Sequence, residues 1–189
     1  LRNPMLKPRR LLATTMTALC LLTAPAFAGG EGWTHDYEAA NTQATEQKKD
    51  MLLDFTGSDW CGWCIKLVDE VFSKDDFKAY ADKNLVLVEL DFPRDKSKVS
   101  EETRAQNEKL KDQFGIRGYP TIYLTDGTGK PYARTGYKAG GPEAYIAHLE
   151  ELKQVRVERD EHFAAAKKAE GIEKAKHLFA AMQAVGAEK

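Results

Sequence analysis

The stretch DFTGSDWCGWC, residues 54–64, constrains this chain more than any other. It follows the start of a short apolar run, 51-MLLDFTG-57, whose length and closing Gly predict a buried strand. It leads into 64-CIKLVDEVF-72, where Leu67, Val68, Val71 and Phe72 form one helical face. Cys61 and Cys64 sit at the junction, two residues between them. Such a pair can hold a metal, staple a loop or carry electrons. A structural zinc takes about four ligands, and His35, His148, His162 and His177 show no ligand spacing to the pair. A staple closing so small a loop gains little from restraining the unfolded chain. The position suits electrons better. A cysteine at the start of a helix faces unpaired N–H groups and the positive end of the helix dipole, which favour thiolate over thiol. Cys61 is then the reactive thiol. Cys64, one turn inside, is placed to resolve a mixed disulfide at Cys61.

The flanking segments predict the layers. Trp33, Tyr37, Ala40 and Ala44 recur at helical spacing over 33–49, with Thr34 or Asp36 as cap. Ser73 offers a cap for a short helix over 74–83. The run 85-LVLVELDF-92 reads as a strand, 93–100 as a loop, and 101–115 as a charged helix closed by Gly115. Residues 116–137 read as strand, turn, strand around Asp126-Gly127 and Thr128-Gly129. Pro142 opens a helix to 156 with Tyr145, Ile146, Leu149 and Leu152 inside. The order α-β-α-β-α-β-β-α predicts an α/β sandwich: a central mixed sheet flanked by helices. The Ala-, Lys- and Glu-rich tail, 157–189, predicts one or two more helices broken at Gly171.

The amino-terminal segment bears on the compartment. Lys7, Arg9 and Arg10 precede an uncharged run, 11–28, that ends Ala26-Phe27-Ala28. This is the pattern of a secretory signal peptide, with an uncleaved anchor as the alternative. The chain therefore divides into a signal peptide (1–28), a main domain (29–153) and a helical extension (154–189). Cleavage would remove Cys20, one of the three cysteines, and leave only Cys61 and Cys64. Two cysteines are too few for a disulfide scaffold. Export, to a bacterial periplasm for instance, would put them where disulfides persist. After cleavage no membrane attachment is expected. A formal net charge of −1 gives no basic field for nucleic acid.

Four segments together carry a family resemblance: 53-LDF-55, 60-WCGWC-64, 114-FGIRGYPTIYL-124 and the region of Gly136. From about Trp33 to Lys153 the chain resembles the thioredoxin superfamily, and its CGWC form is similar to exported bacterial thioredoxin-like proteins. The resemblance implies a thioredoxin fold. It implies a cis Tyr119–Pro120 bond, with Pro120 beside the cysteines and the Tyr119 backbone paired with a substrate segment. Trp60 would cover the active-site edge. Asp54 would be a buried acid that takes the proton of Cys64, since burial raises a carboxyl toward neutrality. One residue more than in thioredoxin lies between Phe55 and Trp60, leaving open whether Asp54 is displaced or whether Ser58 or Asp59 contributes. Gly62 and Trp63 stand where thioredoxin has Gly-Pro, a dipeptide thought to tune the reduction potential. Trp63 lies over the disulfide, touches a partner, or merely packs on the neighbouring loop.

The implied activity is that of a thiol–disulfide oxidoreductase that reduces, isomerises or forms disulfides in protein substrates. A redox-recycling partner is implied, and no metal, nucleotide or flavin. The alternative is a binding or assembly module. Its partner surface would be the tail, through Phe163, Ile172, Leu178, Phe179 and Met182.

Overall fold

A computed structural model describes residues 32–186, so the leader expected over 1–28 lies outside the described residues. Strands β1 (Trp33–Thr34), β2 (Asp50–Thr56), β3 (Leu85–Asp91), β4 (Thr121–Thr125) and β5 (Pro131–Thr135) form one sheet in the order β1-β3-β2-β4-β5. β1 and β2 run parallel to β3, while β4 is antiparallel to β2 and β5 to β4. This is the mixed sheet expected. Helices α1 (Tyr37–Gln47) and α4 (Glu101–Gln113) contribute to one face. The other face is covered by α2 (Gly62–Leu67), a π-helical turn (Val68–Phe72), α3 (Asp75–Asn84) and α5 (Gly141–Lys168). Both central strands are therefore buried on both sides, which is why β2 and β3 read as almost unbroken apolar runs.

Side chains alternate across a strand, so the two cores identify the faces. Leu52 and Leu87 pack with Leu67, Val71, Phe72, Phe77 and Tyr145 on the α2 side. Leu53, Phe55, Val88 and Leu90 pack on the α1 side. Asp54, two residues after Leu52, and Glu89, two after Leu87, consequently point toward α2, and they are register partners across β2 and β3.

Several local boundaries differ from the sequence reading. Trp33 belongs to an edge strand and its indole packs on Phe72, 5.1 Å between centroids, so α1 starts only at Tyr37. Asp36 caps it, accepting the Ala39 N–H at 2.9 Å. Ser73 does not cap α3. Its hydroxyl donates back to the Asp69 carbonyl and closes the π-helical turn. The strand expected from 116 begins at Thr121, after a cis Tyr119–Pro120 bond of the kind the resemblance implies.

The helix opened by Pro142 runs unbroken to Lys168, well beyond 156. Gly171, at φ 56°, takes up the left-handed backbone at the break, and α6 (Gly171–Gly186) packs back along α5, burying Ala181. Ile172, Phe179 and Met182 remain exposed on its outer side. Two arginines fasten this extension. Arg156 donates to Asp50 Oδ1 at 2.6 Å, while the Tyr132 hydroxyl donates to Oδ2 at 2.9 Å. Arg159 donates to Asp126 at 2.7 Å. Burial raises the Asp50 carboxyl, and Arg156 works against that rise. Arg156→Ala strands a buried carboxylate, which costs roughly 3–5 kcal/mol when both partners are enclosed. Arg156 keeps some solvent contact, so a loss of about 2 kcal/mol is expected in urea unfolding. An unchanged midpoint would show that the clamp is ornamental. No helix among the described residues is long and apolar enough to cross a membrane.

Candidate active site

The site is assembled where β2 ends and α2 begins. The chain turns over Gly57, whose carbonyl accepts the N–H of Cys61 at 2.9 Å. A Cβ on Gly57 would lie 2.5 Å from the Trp60 ring, so only glycine lets the indole fold down over this turn. The indole N–H donates to the Phe92 carbonyl at 2.8 Å, tying the loop to the end of β3.

The additional loop residue is absorbed by bracing. Ser58 donates its backbone N–H and its hydroxyl to the Asp91 carboxylate, at 2.9 and 2.6 Å. The Asp59 carboxylate accepts the N–H groups of Arg94 and Asp95, at 2.9 and 3.0 Å. The backbone N–H of Asp95, with that of Arg94, holds it below the usual carboxylate range. Asp54 keeps its place inside β2, and Ser58 and Asp59 face the end of β3.

Cys61 and Cys64 are joined as a disulfide. Cys61 has extended backbone and caps α2, its Sγ accepting the Cys64 N–H at 3.2 Å. Cys61 is 7% exposed and Cys64 2%, the order expected of an outer and an inner thiol. Thr121 pairs with Phe55, so Pro120, one residue before it, lies at the same end of the sheet as the 57–61 turn. Tyr119 stands edge-on to Trp60 at 5.6 Å and also packs on Phe92 at 5.3 Å. Gly136 closes from the far side, where a Cβ would come within 3.1 Å of the Pro120 carbonyl.

Trp63 packs on the loop after β5. Its ring lies 5.0 Å from that of Tyr137, and the Lys66 ammonium sits 5.2 Å from each centroid. The Tyr137 hydroxyl donates to Glu70 at 2.6 Å. Even so, 57% of Trp63 is exposed. Gly62 is exposed beside it, with open space where a Cβ would project.

Beneath this surface Asp54 is wholly buried, and its Oδ1 has no hydrogen-bond partner among the described residues. Burial, then the charges of Glu89 and Asp91, push its carboxyl well above the ordinary range. Sequence reasoning missed Glu89 and Asp91. Their alternation in LVLVELDF puts both on one face, but their proximity to Asp54 depends on strand pairing that no local pattern specifies. Among the described residues no group of three or more His, Cys, Asp or Glu side chains is arranged to hold a metal ion.

Comparison with known proteins agrees with this geometry. Residues 37–153 match the family model of the thioredoxin-like domain. The disulfide bond reductase DsbH of Chlamydia pneumoniae is 37% identical over 134 residues, covering 71% of this chain and 80% of that protein. The thioredoxin-related protein DsbJ of the same organism is 32% identical over 123 residues, which is 63% of this chain but 35% of the longer relative. The solved structure of a DsbH oxidoreductase superposes with a TM-score of 0.60 at 35% identity, covering 69% of this chain and 91% of that one. The chain thus belongs to the thioredoxin-like family, as a thiol–disulfide oxidoreductase with Cys61 and Cys64 for its redox couple.

Proposed function

We propose that the protein is an exported reductase of protein disulfides, with Cys61 as nucleophile and Cys64 as resolving thiol. The observation that carries the assignment is the Cys64 N–H directed at Cys61 Sγ. A donor aimed at that sulfur stabilises it as thiolate once the disulfide is opened. The Cys61 thiolate attacks one sulfur of a substrate disulfide. A bond forms between them, and the other substrate sulfur leaves as a thiolate that takes up a proton. Asp54 accepts the proton of Cys64. The Cys64 thiolate then attacks Cys61 Sγ, closing the internal disulfide and releasing the second substrate thiolate. Two electrons have passed to the substrate, and a dithiol partner must return them.

Substrates in this reading are cysteine-containing protein segments. They lie along the backbone of Tyr119 and Pro120, between the aromatic surfaces of Trp60 and Trp63, with Gly62 leaving room for close approach. The direction of electron flow is supported by the 37% identity to a relative named a disulfide bond reductase. Export is supported by the leader pattern over 1–28.

Equilibration of the couple against a redox buffer of known potential tests the direction. A value near about −270 mV is expected for a reductant, and one near about −120 mV would make the protein an oxidant. Reduction of an insulin-type disulfide by the dithiol form is expected alongside.

A further inference from the structure

Asp54 can accept the proton of Cys64 only where its surroundings let it ionise. Asp54 and Glu89 are paired in register on neighbouring parallel strands, and both project to the α2 side of the sheet. Strands so paired lie about 4.8 Å apart, close enough for their carboxyls to act on one another directly. His35, just after β1, brings Nδ1 to 3.5 Å from the Glu89 carboxylate and 3.2 Å from the Glu89 carbonyl. Asp91 is the next acid on that face of β3, engaged by Ser58. From the covering helices, Tyr145 of α5 feels the charge of Asp54, and Cys64 is buried on α2. On the other side β4 offers only Ile122 opposite Asp54. The basic side chain set against these acids is thus His35, and it faces Glu89.

We propose that Glu89, braced by His35, is a positioning residue for Asp54: it sets the pH at which Asp54 can take the proton of Cys64. The inference rests on the reading of Asp54 as the base. Two neighbouring carboxyls in a buried site do not ionise independently, and they release their protons in two steps that belong to the pair. Burial raises the Glu89 carboxyl and the adjacent His35 works against that rise, whereas Asp54 is raised well above the ordinary range, so Glu89 gives up its proton first. The remaining charge then holds the second proton on Asp54, whose Oδ1 has no hydrogen-bond partner among the described residues and which is more deeply buried than Glu89. Asp54 thereby ionises only as the pH rises, and it takes the proton of Cys64 in that ionised form.

Carboxyl carbon chemical shifts of Asp54 and Glu89, followed by NMR against pH, test this directly. In the wild type the two should titrate in coupled steps. In Glu89→Gln the Asp54 midpoint should fall by about one pH unit or more. The rise of the mixed-disulfide resolution rate with pH should move down by the same interval. Glu89→Asp, which keeps the charge, should retain most of the wild-type midpoint. A merely structural Glu89 would leave the Asp54 midpoint where it was, and that result overturns the inference alone. Asp54→Asn, measured in parallel, separates the two ideas. If it resolves mixed disulfides at the wild-type rate throughout, the base reading falls and this inference with it. The wild-type titration needs no variant to fold, and uncoupled single-step curves there would also overturn the proposal.

Discussion

Cys64→Ser is expected to turn the oxidoreductase into a trap. Mixed with a disulfide-bearing protein, it should accumulate a covalent adduct through Cys61, while catalytic turnover drops to background. Cys61→Ser should lose both turnover and adduct. The asymmetry follows from position. Cys61 lies at the outer end of α2 with a backbone N–H on its sulfur, and Cys64 lies one turn deeper over the face that carries Asp54. Serine at 64 cannot displace a sulfur near neutral pH, so the chemistry stops after the first exchange. Non-reducing electrophoresis and the mass of the adduct read the result. An adduct on Cys64 in the Cys61→Ser form, with none in Cys64→Ser, would reverse the assignment of the two thiols.

Asp54→Asn should make the protein more stable and less active, and the stability gain should depend on pH. In the unfolded chain this carboxyl ionises near about 3.9. In the fold, burial and then the charges of Glu89 and Asp91 raise it well above that. Between the two values the folded form holds a proton that the unfolded form has released. Folding is then coupled to proton uptake, and raising the pH removes stability. Below the unfolded value the carboxyl is protonated in both states and has no pH-linked effect. Asparagine escapes the linkage. Relative to wild type it should gain about 1.4 kcal/mol for each pH unit by which the pH exceeds the unfolded value, up to the folded one. Urea unfolding of the oxidised proteins at acid, neutral and alkaline pH measures this. A difference that stays flat with pH would mean that Asp54 is not the strained acid the geometry describes. Loss of the base should slow resolution by about 100-fold or more.

The sequence disclosed what periodicity and local chemistry encode. The buried run before Cys61, the helix after it and the hairpin around Asp126-Gly127 are each written in consecutive residues, so the mixed α/β sandwich was legible. So was the break at Gly171, where left-handed backbone favours glycine. Trp33 misled because an aromatic at helical spacing from Tyr37 also suits an edge strand, and only its contact with Phe72 decides between them. The uses of Ser58 and Asp59 were hidden for another reason. Their partners, Asp91 and the N–H groups of Arg94 and Asp95, arrive from the end of a strand more than thirty residues away. Glu89 was invisible as a neighbour of Asp54 until β2 and β3 were paired in register.

The extension gives the molecule a head and a foot. Arg156 grips Asp50, the first residue of β2, whereas the cysteines follow the last, Thr56. Seven residues of strand, about 20 Å, separate the grip from the reactive edge. A fluorophore, a biotin or a surface linkage placed on the exposed side of α6, at Gln183 for example, would therefore hang from the foot. The protein could be immobilised upright, with its disulfide presented to solution for single-molecule or electrode measurements.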